Sequence, residues 1–213
     1  MYHYTNRKGV TYYLHRHTGR GGKPRYTLKR SAEGALDELP AGYEVTENVN
    51  GQVSVRRARP RQITKEEEAR VRAALDQHQL SQYPLEVKDD QITIFEPDRD
   101  PGAIAEQLTP LAGMPAGLAE QLEAQVRKEL GDATVDEYLQ QHKQGVREQL
   151  EQTTHYAPVL RFGLIDKQRR LFVVARMTYR GDGGWHQLDC MELTEAVARY
   201  LPHLGKESFF DLV

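Results

Sequence analysis

Between residues 2 and 57 apolar and polar positions alternate in five short runs, 2–5, 10–17, 25–29, 43–46 and 52–57. That period of two predicts β-strands. The breaks at 6–9, 18–24, around Gly34 and Pro40, and at 48–51 are turn-forming in composition, so the runs spell a small antiparallel β meander of about five strands. Asn50-Gly51 is the best hairpin signal, because both residues tolerate the positive φ of a type I′ turn.

After Pro60 the pattern changes. Thr64, with Glu67 three positions on, predicts a capping box for a helix that places Val71, Ala74, Leu75 and His78 on one face. Two short strands follow, 83–88 and 91–95, joined at Asp89-Asp90. Asp100 and Pro101 open a helix to about Leu108, and Pro115 opens another that Gly131 terminates. Thr134 and Glu137 read as a second capping box, ahead of a helix with Val135, Tyr138, Leu139, His142, Val146 and Leu150 on one stripe. The most apolar strands, 157–166 and 170–179, form a central hairpin, the glycines at 181–184 break the second of them, and short helices at 194–200 and 206–212 close the chain. No internal repeat stands out. Strands, helices, strands and helices in blocks predict an α+β fold, a β meander followed by a mixed domain of β-hairpins packed by several helices.

Charge divides the chain more sharply than pattern does. Residues 1–61 hold twelve Lys/Arg against five Asp/Glu, a net +7, with six of the eleven tyrosines. Residues 62–213 hold seventeen against twenty-six, a net −9. The arginine-rich stretch 56–61 reads as a linker, which predicts a basic Tyr-rich β module at 1–61 and an acidic α+β domain at 62–213. No apolar run approaches the ~20 residues that cross a bilayer, and the first residues lack the apolar run of a secretory signal. A cytoplasmic protein without membrane contact is expected. Cys190 is the single cysteine, so an intrachain disulfide is excluded and a thiolate zinc site has too few ligands.

Several residue groups carry candidate chemistry. The glycine-rich loop at 18–24 lacks the Lys-Ser/Thr step of a P-loop, since Pro24 follows Lys23. It reads first as a solvated hairpin tip, and as a second option as a cationic loop whose Arg16, Arg20, Lys23 and Arg25 meet phosphates, with Tyr12 or Tyr13 stacking on bases. Alternation puts Tyr12 and Tyr13 on opposite faces, and tyrosines of a small sheet are more often core. His15 and His17 share a face as exposed imidazoles, with His3 expected on the other. His78 and His142 fall on apolar helix stripes, where a hydrogen-bonded core histidine is expected.

Glu86-Val87-Lys88 matches half of a metal-dependent nuclease signature, without the acid that should precede it. Glu96, Asp98 and Asp100 read as a charged loop ending in a helix cap. His186, Asp189 and Cys190 have the ingredients of a thiol catalyst without the spacing, so Cys190 is expected to be a small packed residue. Arg180-Gly181-Asp182 reads as a turn. Trp185 is either a core anchor or an interface residue.

Residues 39–44, Leu-Pro-Ala-Gly-Tyr-Glu, with the Asn50-Gly51 turn, resemble the opening of a WW domain, as do Gly9, Tyr12 and Tyr13 in the first hairpin. Tyr43 stands where that family has its first tryptophan. The second tryptophan and its partner proline have no counterpart, so the resemblance does not imply a proline-peptide groove.

The sequence therefore leads to a non-enzymatic binding or adaptor protein whose basic module contacts RNA, single-stranded DNA or an acidic protein surface. No cofactor and no metal site are expected. The alternatives are a hydrolase or nuclease using Glu86 and Lys88, a self-associating protein pairing at the Trp185 edge, or an internal use of the charge in which the basic module docks on the acidic domain.

Overall fold

The structure, a computed structural model, describes residues 1–19, 21–108, 110–111, 113–178 and 183–212. The fold is α+β. The described residues form three antiparallel sheets, and the five N-terminal strands divide between two of them. Strands β1 (His3–Thr5), β2 (Thr11–Thr18) and β3 (Pro24–Lys29) form a meander, while β4 (Tyr43–Glu47) and β5 (Val53–Arg57) form a separate hairpin. The third sheet contains β6 (Leu85–Lys88), β7 (Gln91–Pro97), β8 (Tyr156–Asp166), β9 (Leu171–Thr178) and β10 (Gly184–Glu192), in the order β10-β9-β8-β7-β6. Helix α1 (Lys65–Gln77) precedes it in sequence. Helices α2 (Pro101–Gln107), α3 (Ala116–Leu130) and α4 (Asp132–Thr153) lie between β7 and β8, and α5 (Leu193–Tyr200) follows β10.

The chain folds as two compact units, 1–96 with 156–213, and 97–155. The core of the first is built on one face of the five-stranded sheet. Ile92, Ile94, Leu160, Phe162, Phe172 and Val174 are completely buried there, packed with Val71 and Leu75 of α1 and Ala196, Val197 and Tyr200 of α5. The Thr64 capping box forms as expected: the Glu67 backbone N–H donates to Thr64 Oγ1 (3.2 Å) and the Thr64 N–H to Glu67 Oε2 (2.9 Å). Asp100 caps α2 through the N–H groups of Gly102 and Ala103.

Thr134 does not cap. Helix α4 starts two residues earlier, at Asp132 after Gly131. Of the α1 stripe, Val71 and Leu75 are buried while His78 is the exposed C-cap residue. At the chain end, the expected helix over 206–212 is reduced to a 3₁₀ turn at Glu207–Phe209, and another such turn, Leu201–His203, follows α5.

The first and fourth strands leave through the same turn. In Asn6-Arg7-Lys8-Gly9-Val10 the Asn6 Oδ1 accepts from the N–H of Lys8 (3.1 Å) and Val10 (2.8 Å). In Asn48-Val49-Asn50-Gly51-Gln52 the Asn48 Oδ1 accepts from Asn50 (3.0 Å) and Gln52 (2.9 Å). Gly9 (φ +72°) and Gly51 (φ +75°) each donate their N–H to the leading Asn carbonyl at 2.9 Å.

Asn50 is not among the described non-glycine residues with positive φ. The turn is therefore a three-residue loop closed by a glycine bulge, not a type I′ turn. The reason is Asn48, whose side chain fixes an Asx turn that the Asn50-Gly51 pair alone does not specify.

The two turns also lock together. Asn6 is buried and donates its amide to the Gly51 carbonyl (2.7 Å), and Arg7 Nη1 donates to the Val49 carbonyl (3.0 Å). Asn6→Ala removes three hydrogen bonds to backbone, one donated by Nδ2 and two accepted by Oδ1, so urea denaturation of this variant is expected to show a loss of about 2–3 kcal/mol. A loss under about 0.5 kcal/mol, the size of an ordinary surface change, would show that the turns hold without it.

Beside the lock, Tyr4 donates its hydroxyl to Glu47 Oε2 (2.8 Å). That hydrogen bond, then burial and the Glu47 charge, raises the Tyr4 phenol above its ordinary pKa. In the ultraviolet titration, Glu47→Gln is expected to move one phenol downward; superimposable curves would contradict this.

Candidate polyanion interface

Residues 11–30 contain six Lys/Arg, two His and no Asp or Glu, and they form the β2–β3 hairpin. Its register places Tyr13 opposite Lys29, His15 opposite Thr27, Arg16 opposite Tyr26 and His17 opposite Arg25. Because side chains alternate across a strand, one face carries Tyr13, His15, His17, Arg25 and Lys29, and the other Tyr12, Leu14, Arg16, Tyr26 and Leu28.

On the second face Leu14 is fully buried, and Tyr26 meets Tyr43 of the β4–β5 hairpin edge-on at 4.8 Å. The first face is more open. Arg25 and Lys29 are exposed there, Tyr13 is half-buried against His3 (centroids 6.5 Å apart), and Lys23 extends beyond β3 at the tip. Arg16 is exposed on the opposite face. Tyr13 thus shares its face with Arg25 and Lys29, and Tyr12 does not. Arg20 lies outside the described residues.

The structure sorts the basic residues of 1–61 into two kinds. Arg7 pairs with Glu47 (3.0 Å), Arg56 with Glu44 (2.8 Å) and Asp89 (3.0 Å), Arg59 with Asp89 (4.0 Å), and Arg61 with Glu68 (2.5 Å). Arg57 lies 6.0 Å from the Tyr43 ring centroid. Among the described residues no carboxylate pairs with Arg16, Lys23, Arg25, Lys29 or Arg30. Lys8 and Arg57 also lack a carboxylate partner among the described residues, and the other five unneutralised cations gather on one hairpin. Gly21 (φ +86°) and Gly22 (φ +74°) supply the left-handed conformations its tip needs, with open space at both positions.

The histidines depart from expectation. His3 pairs with Tyr13, not near Tyr12, and so lies on the face of His15 and His17. His15 is buried, with Nε2 2.8 Å from the Ser31 carbonyl oxygen. The segment after β3 folds back over it, an effect of tertiary contact that alternation does not contain. His142 keeps a buried Nδ1 with no hydrogen-bond partner in place of the expected bond. No cluster of three metal-ligating side chains forms among the described residues.

Glu86 and Lys88 line a polar groove of about 490 Å³ with Tyr12, Thr46, Asn48, Gln52, Val53 and Ser54. Glu86 is the one carboxylate in that described lining, so no second acid reaches it there. Of the acidic run at 96–100, Glu96 accepts from the Tyr83 hydroxyl (3.2 Å), Asp98 accepts from the His155 N–H (3.2 Å) and Asp100 caps α2.

Trp185 is the second residue of β10, an edge strand that sequence reading missed; its ring is covered by the Arg161 guanidinium at 4.2 Å. Burial lowers the Arg161 pKa. Cys190 is exposed, correcting the expectation of a packed residue: a register shift between Gln187 and Asp189 disturbs the alternation of β10. Asp189 is engaged by Arg199 (3.0 Å) and the Tyr200 hydroxyl (3.3 Å). Residues 180–182 lie outside the described residues. No helix of the described residues is long and apolar enough to cross a membrane. Comparison with family models, with curated proteins and with solved structures finds no match to this chain.

Proposed function

We propose that this chain is a binding protein that holds single-stranded nucleic acid on the β2–β3 hairpin. The observation that carries the reading is the set of five cations, Arg16, Lys23, Arg25, Lys29 and Arg30, without carboxylate partners on an acid-free hairpin. A protein that keeps such groups unpaired stores repulsion that a polyanion relieves, with release of counterions. Tyr13, half-buried beside Arg25 and Lys29, offers the aromatic surface on which a base stacks. Tyr12 lies on the opposite face, away from Arg25 and Lys29, where it lines the groove that holds Glu86 and Lys88.

Titration of fluorescent oligonucleotides against salt tests the reading. Five phosphate contacts predict a log–log slope of about −3.5 for a single strand. Tyr13→Leu is expected to cost about 1–3 kcal/mol of affinity without changing that slope, because stacking carries no counterions. Absence of binding at low salt removes the proposal. Binding of an acidic peptide in preference to RNA and single-stranded DNA would move the partner to the protein class.

A further inference from the structure

The unit at 97–155 buries very little of its own apolar surface. Helix α3 has no buried residue over fifteen positions, and α4 has Val135 alone over twenty-two. Leu108, Met114, Leu118, Val126, Leu130 and Tyr138 are all exposed, six of the nine large hydrophobic residues exposed among the described residues. Helices of this length owe their stability to a packed apolar face rather than to propensity. An apolar groove of about 460 Å³ runs between α3 and α4, lined by Leu122, Val126, Val135, Tyr138 and Leu139, with Glu120 at its border.

Of the charged residues that line that groove, Glu123 and Lys143 are paired with Arg127 and Glu106, and Glu120 is not; the unit around the groove is acidic. Residues 97–155 hold eleven Asp/Glu against five Lys/Arg. Arg127 is spent on Glu123 and Asp136, Lys143 on Glu106 and Arg147 on Glu151. Glu120, Glu129, Glu137 and Glu148 have no Lys or Arg partner among the described residues. A second copy placed on this groove would bring one acidic unit against another, and an anionic lipid surface would be repelled as well.

We infer that the α3–α4 groove docks an amphipathic helix of a partner protein, one with apolar residues at i, i+3, i+4 and i+7 and lysine or arginine flanking them. The apolar stripe fills the groove and the flanking cations meet Glu120 on its border. The inference stands apart from the nucleic-acid reading, because it uses neither the hairpin nor any residue outside 97–155.

The test uses the full chain and two labelled helical peptides with the same leucine stripe, one flanked by lysine and one by glutamate. Val126→Lys with Tyr138→Lys, both exposed positions that folding tolerates, defines the groove: only binding lost in this variant counts, which sets aside any glutamate peptide held by the basic hairpin. The lysine peptide is expected to bind at least about tenfold tighter than the glutamate peptide in that component, and to weaken with salt and with Glu120→Lys. Equal affinity for the two peptides, or none for the lysine peptide, overturns the inference. So does sedimentation showing a dimer that the double substitution returns to monomer, since the occupant is then a second copy.

Discussion

Replacing Arg16, Lys23, Arg25 and Lys29 together with glutamate is expected to lower affinity for single-stranded nucleic acid about a thousandfold at low salt. Four exposed contacts at roughly 1 kcal/mol each supply that factor, and the new carboxylates add repulsion. All four are exposed and lack carboxylate partners among the described residues, so the fold is expected to survive. The matched control is a pair of double reversals with the same change in net charge, Arg25 with Lys29 and Arg56 with Arg59, the latter two already neutralised by Glu44 and Asp89. Circular dichroism checks the fold, and anisotropy titrations at several salt concentrations read the affinity and its slope. Equal losses in the two double reversals would mean that binding follows net charge and that the hairpin has no privileged part.

Glu67→Ala is expected to destabilise the unit containing α1 by about 3 kcal/mol, through two losses at one carboxylate. The first is the capping box at Thr64, worth about 1 kcal/mol. The second is the Arg170 guanidinium, which reaches Glu67 Oε1 with Nε (2.9 Å) and Oε2 with Nη2 (2.5 Å). Glu67 is only 8% exposed, and charged hydrogen bonds with such a group carry about 1.5–3 kcal/mol. The exposed Arg72–Glu68 pair on the same helix is worth at most about 1 kcal/mol.

Glu67→Gln keeps an acceptor for the cap and loses the charge, so it is expected to fall between wild type and alanine. Thermal melting reads the difference as a drop of about 6–12 °C for alanine. A double-mutant cycle with Arg170→Ala separates the two losses; no coupling between them would assign the whole effect to the cap.

Local signals in the sequence located most elements, because caps and alternation act over a few residues. Thr64 with Glu67, Asp100 with Pro101 and Gly131 each mark a helix end where the structure has one. β10 escaped because the shift between Gln187 and Asp189 breaks the period of two that reveals a strand. Thr134 was misleading because Gly131 and Asp132 start the helix first.

The candidate interface was legible as a concentration of charge, not as an arrangement. Whether an arginine is free depends on carboxylates remote in sequence, as with Arg56 and Asp89, and no local pattern encodes that pairing. The likeness of the turns at Asn6 and Asn48 escaped for a different reason. The two share only their asparagine and glycine, since the backbone hydrogen bonds need nothing from the residues between.

Asn50 places its side-chain amide on the backbone of Tyr156, donating to the carbonyl at 2.9 Å and accepting from the N–H at 2.8 Å. Meanwhile the N–H of Gly51 is held on Asn48. An asparagine before a glycine ages chemically: the glycine nitrogen attacks the side-chain carbonyl, ammonia leaves, and the succinimide opens to aspartate or isoaspartate. Here both reacting groups are already engaged, so the β4–β5 hairpin shelters its most perishable bond for as long as it stays docked on β8. Deamidation at Asn50 is then a clock that runs only while that contact is open, and its product lacks the amide that donates to the Tyr156 carbonyl.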